Sequence, residues 1–90
     1  MNEARDFVRI INPLGLHARP AAALVQAVIG FDAEVRISLN GSEINAKSIM
    51  GLLTLAAGQG TEMEIICRGV DAQTALDAVR KLVAAGFGEQ

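Results

Sequence analysis

In "AEVRISL", residues 33 to 39, every second side chain is apolar. Val35, Ile37 and Leu39 share one face, and Glu34, Arg36 and Ser38 share the other. A strand with one apolar face needs a covering layer on one side only. Asn40-Gly41 follows directly. Both residue types accept positive φ, so the chain should fold back in a tight hairpin, with residues 43 to 46 returning antiparallel. A second one-faced strand, "TEMEIICR" at 61 to 68, places Met63, Ile65 and Cys67 together. These strands predict an antiparallel sheet with a wet face and a dry face.

The remaining segments supply the cover. "FVRII", residues 7 to 11, reads as a first strand, broken by "NPLG". From Ala18 onward, Ala21, Leu24, Val25, Val28 and Ile29 recur at helical spacing, with Gly30 as the expected left-handed stop. Pro20 is compatible with a first turn, where its missing N–H has no helical partner. Ser48 is expected to cap a short helix, "IMGLLTL", in which Leu52 faces inward. Asp71 is expected to cap a final helix whose stripe is Ala72, Ala75, Leu76, Val79, Leu82 and Val83, ending at Gly86. "GFGEQ" beyond it reads as loose. The order is βαββαβα, an α+β open-faced sandwich of four antiparallel strands with three helices on one face.

Ninety residues suit one domain, 1–90. No apolar run is long enough to cross a bilayer, and "MNEARDF" lacks the basic and apolar regions of a signal peptide. The chain is therefore expected to be cytoplasmic, without membrane insertion. A formal charge of −2 and three dispersed phenylalanines argue against nucleic-acid binding. One cysteine and one histidine make no metal site. Cys67 reads as a small core side chain.

His17 stands where the "NPLG" turn becomes the first helix. If that helix begins at Ala18, His17 is its N-cap, and the amides of Ala18 and Arg19 point outward without helical partners. Such an end attracts anions, and the Arg19 guanidinium adds a cation suited to phosphate oxygens. A ring nitrogen that takes up a phosphoryl group would find its new charge stabilised there. A second nucleophile could later remove it. The alternative reading of these residues is an ordinary surface histidine beside a solvated arginine.

"GLHARPAA", residues 15 to 22, resembles the active-site signature of the HPr family, the histidine-containing phosphocarriers of the bacterial sugar phosphotransferase system. "NGSEINAKSIMGLLTLAAGQGTEMEI", residues 40 to 65, resembles that family's hairpin, regulatory-serine helix and final strand. The resemblance implies the four-stranded, three-helix sandwich. It implies phosphorylation of His17 through Nδ1, with Arg19 stabilising the phosphoryl group. Enzyme I would be the donor and a histidine of an enzyme IIA the acceptor. It also implies a carrier dependent on partner enzymes and without a cofactor, and a carrier that visits several partners is expected to be a monomer.

The matching serine, Ser48, would be the substrate of an HPr kinase/phosphorylase. Ile49, Met50 and Leu53 would form the apolar docking patch, with Lys47 beside them either touching the partner or solvated. Core packing is the alternative for the apolar three. Leu14 stands where many sugar-system carriers have a polar residue, and "PLGLH" and "GFDAEV" are similar to a nitrogen-related phosphocarrier, NPr, whereas residues 40 to 53 are more similar to kinase-regulated HPr; a regulatory phosphorelay is the second reading. Gln26 and Gly51 stand where enteric carriers have lysine, which makes this docking face less basic.

Overall fold

Charge pairing builds the first strand as much as apolarity does. In the computed structural model, which describes residues 2–89, β1 spans Glu3–Arg9, not 7 to 11. Ala4 and Val8 turn toward the core. On the other face Arg68 Nε donates to Glu3 at 2.8 Å, and Arg5 reaches Glu3 and Glu64. Ile10 leaves the strand and is buried, its N–H bonded to Thr61 O and its carbonyl to Gly60 N. Ile11 remains exposed. The apolar run therefore marks where the strand ends.

The other strands are β2 (Glu34–Leu39), β3 (Ser42–Asn45) and β4 (Glu62–Arg68), and the helices are α1 (Ala18–Val28), α2 (Ile49–Thr54) and α3 (Ala72–Ala84). All strand pairs are antiparallel, in the order β1-β4-β2-β3. This is the open-faced sandwich expected from the sequence. Asn40 and Gly41 both take positive φ, as the two-residue turn between β2 and β3 requires.

The core lies between sheet and helices. Leu24 and Val28 of α1, Val35 and Ile37 of β2, Leu52 of α2, Met63 and Ile65 of β4, and Val79 and Val83 of α3 are fully buried. Each such side chain contributes about 1.5–3 kcal/mol over leaving it in water. Cys67 joins them, and burial pushes its thiol up to about 11. Ile66 is buried on the open face, where its cross-strand neighbours are Arg5 and Arg36. Their aliphatic stems can cover it while the charged ends stay wet.

Four local expectations are corrected. Gly30 is not left-handed; α1 ends through Ile29, whose N–H bonds Val25 O. Ile29 is exposed, because the apolar stripe has rotated out of the interface by then. Asp71 precedes α3 but makes no cap bond; its carboxylate accepts from Asp32 N at 2.7 Å and ties the helix start to the loop before β2. Residues 86 to 89 are tied back by backbone bonds, Gly88 N to Ala85 O and Glu89 N to Gly86 O. Gly86–Gly88 form a single 3-10 turn with Phe87 buried beneath it. Gln90, also in the segment read as loose, lies outside the described residues.

Candidate functional site

The loop before α1 is held by contacts far along the chain. Asn12 O accepts from Gly15 N, and Asn12 Nδ2 donates to Gly15 O, closing a small turn. Leu16 N then donates to Ala57 O at 2.8 Å. Gly15 has φ +67, and a Cβ there would lie against Ala57 O and 2.7 Å from Gly58 Cα. Glycine is required at this position by both conformation and space.

His17 is the N-cap of α1, with extended φ/ψ and no side-chain cap bond. Its carbonyl accepts from Ala21 N, the first intrahelical bond of α1. Among the described residues the amides of Ala18 and Arg19 have no acceptor. The imidazole is about a third exposed, at 36 %. Arg19 is exposed beside it, and Pro20 is buried in the first turn.

Two residues that the sequence reading did not single out complete the site. Glu89 places its oxygens 3.0 and 3.1 Å from His17 Nε2, and its Oε1 also accepts from Asn12 Nδ2 at 2.9 Å. The His17 hydrogen bond holds the Glu89 carboxyl below the usual carboxylate range, helped by Asn12 and by the charges of His17 and Arg19 against the opposing effect of desolvation. The ring thus has a carboxylate on one nitrogen and a cationic helix end nearby. The sequence showed only the positive half. Asn12 could be seen as a turn former, but nothing in the local pattern links it to position 89.

Ser48 caps α2 as expected, its Oγ accepting from Gly51 N at 3.1 Å. Leu52 is buried, while Ile49, Met50 and Leu53 are exposed. Lys47 is not simply solvated. Its ammonium donates to Phe31 O at 2.9 Å and ties the loop before α2 to the segment after α1. Among the described residues no helix is long and apolar enough to cross a membrane, and no group of three His, Cys, Asp or Glu side chains could hold a metal ion.

Sheet, helices and an imidazole at a helix end together make a small single-sheet protein with its candidate site at the start of α1. The family described as "PTS HPr component phosphorylation site" matches residues 5–85. The phosphocarrier protein HPr of Treponema pallidum is 43% identical over 83 residues, covering 92% of this chain and 94% of that protein. That of Cupriavidus necator is 49% identical over 80 residues, covering 89% and 90%. Among solved structures, HPr from Thermoanaerobacter tengcongensis superposes with a TM-score of 0.91 at 37% identity, covering 100% of this chain and 99% of that one. HPr from Bacillus anthracis gives 0.87 at 40%, covering 92% and 99%. This chain belongs to the HPr family, the phosphocarrier proteins of the phosphotransferase system.

Proposed function

We propose that His17 receives a phosphoryl group from enzyme I through Nδ1 and delivers it to a histidine of an enzyme IIA. The observation that carries this reading is the ring's placement. Its Nε2 is engaged by Glu89, which leaves Nδ1 as the nucleophile. The amides of Ala18 and Arg19, without acceptors among the described residues, and the exposed Arg19 side chain would supply the phosphate site. Each transfer breaks the donor's N–P bond as the new one forms, with the electron pair returning to the donor nitrogen. Catalysis of this kind is mainly positioning and charge stabilisation, and it requires the partner protein.

Ile49, Met50 and Leu53 are exposed together on α2 and would form the apolar centre of the docking face. Lys47 would contribute there only through its stem, since its ammonium is engaged. Ser48 would be the regulatory site. A phosphoserine at the start of α2 adds up to about two negative charges without requiring the helix to unfold. It would slow docking by repelling acidic partners.

Incubation with enzyme I, phosphoenolpyruvate and Mg²⁺ should add one acid-labile, alkali-stable phosphate. A His17→Ala protein that still took up that label would refute the assignment. The second reading, a nitrogen-related relay, rests on the likeness of "PLGLH" and "GFDAEV". Transfer to a nitrogen-type enzyme IIA but to no sugar-type one would select it.

A further inference from the structure

We propose that Glu89 is a positioning residue for group transfer at His17. Its carboxylate, aimed by Asn12, keeps the proton on Nε2 and stabilises the positive charge the ring gains when Nδ1 bonds phosphorus. This rests on the reading of His17 given above and adds the group that governs the ring's second nitrogen.

Three observations place Glu89 there. First, its contacts with Nε2 are both of hydrogen-bond length, with Nε2–H donating to the carboxylate. Second, Asn12 is buried and its amide orientation is fixed. Nδ2 donates both to Gly15 O and to Glu89 Oε1. The flipped amide would set Oδ1 against those two oxygens. Oδ1 itself has no partner among the described residues. A buried polar group left half-satisfied is unusual, and here its satisfied half does nothing but shape the loop and hold Glu89.

Third, the segment that delivers Glu89 is strained. Gly86, Phe87 and Gly88 take φ of 61, 57 and 75° in succession. Phe87 carries a side chain in this left-handed region, a conformation that persists only where the surroundings enforce it. Its buried ring supplies that enforcement.

The chemistry follows from the geometry. Nδ1 uses its lone pair to attack phosphorus while the donor's N–P bond breaks. The ring then carries a delocalised positive charge, and its Nε2–H remains in place. A carboxylate on that N–H stabilises the charge, as in other carboxylate–imidazole pairs. On delivery the N–P bond breaks and the pair returns to Nδ1. A ring that keeps its Nε2 proton is the better leaving group.

The test uses the full chain with enzyme I and phosphoenolpyruvate. Glu89→Ala should slow single-turnover phosphorylation about tenfold, the scale of a partly exposed charge-assisted hydrogen bond. Glu89→Gln, which keeps the shape without the charge, should fall between. In the phosphorylated protein, Nε2 should lose its proton at lower pH in both variants, read by nitrogen NMR. A wild-type rate in Glu89→Ala overturns the proposal. So does a slowed rate with the Nε2 titration unmoved, which would make Glu89 merely structural. Failure of the wild-type chain to label at His17 would instead defeat the functional reading itself.

Discussion

Replacing Gly15 by alanine should destabilise this protein strongly. The residue has φ +67, and its new Cβ would meet three backbone atoms of the 57–58 turn: Ala57 O, Gly58 Cα at 2.7 Å and Gly58 C at 3.1 Å. Holding alanine in the left-handed region costs about 1–2 kcal/mol. The turn must also retreat, and it carries the carbonyl that accepts from Leu16 N. Losing that bond adds about 1 kcal/mol. The sum is about 2 to 3 kcal/mol, against a total of about 5–15 for a domain of ordinary stability.

At about 4–8 °C per kcal/mol for a chain of this size, Tm should fall by about 15 °C. Gly30→Ala is the control. It has ordinary φ and nothing within 4 Å of its added methyl, so it should be neutral or stabilising by about 0.5 kcal/mol. Urea unfolding of both variants measures the difference. A Gly15→Ala protein within 0.5 kcal/mol of its Gly30→Ala counterpart, about the spread of harmless surface changes, would refute the reasoning. Because Gly15 O is also the acceptor for Asn12 Nδ2, the folded fraction should phosphorylate more slowly as well.

Other outcomes can be checked on the same footing. Ser48→Ala removes the acceptor for Gly51 N and should cost about 1 kcal/mol in urea unfolding; no loss would mean the cap is idle. Leu52→Ala should cost about 3 kcal/mol, whereas Met50→Ala, 73% exposed, should leave stability within about 0.5 kcal/mol and raise KM with enzyme I. Glu89 should titrate below 4.5, the ordinary value, because its charged form is hydrogen-bonded to His17 and Asn12 and faces Arg19. The stabilisation from that contact is then fully present above pH 4.5 and disappears only as pH falls through the lower, folded value. A carboxyl NMR midpoint at or above 4.5 would contradict the contact.

The parts legible in the sequence are those governed by nearest neighbours. β2, β4 and α1 announce themselves by period, because one face of each meets the core. The hairpin follows from Asn40-Gly41, and the α2 cap from Ser48. The bounds of β1 are not legible because charged residues at positions 3 and 5 show no strand period until Arg68 stands opposite Glu3 and Glu64 lies diagonally from Arg5. Asp71 failed as a cap for a related reason. Its carboxylate found a better donor thirty-nine positions earlier, at Asp32 N.

The same division runs through the site. His17, Ala18 and Arg19 are adjacent in the chain, so their convergence on one helix end needs only the helix to begin where it does. Glu89 arrives from 72 positions away, through a left-handed turn that no propensity favours for phenylalanine. Its effect on the ring depends on that turn staying closed, and the turn depends on Phe87 remaining buried. The electrostatics of the imidazole are therefore coupled to packing at the far end of the chain. A core substitution beneath residues 85 to 88 should disturb His17 without touching any residue of the 15–22 motif.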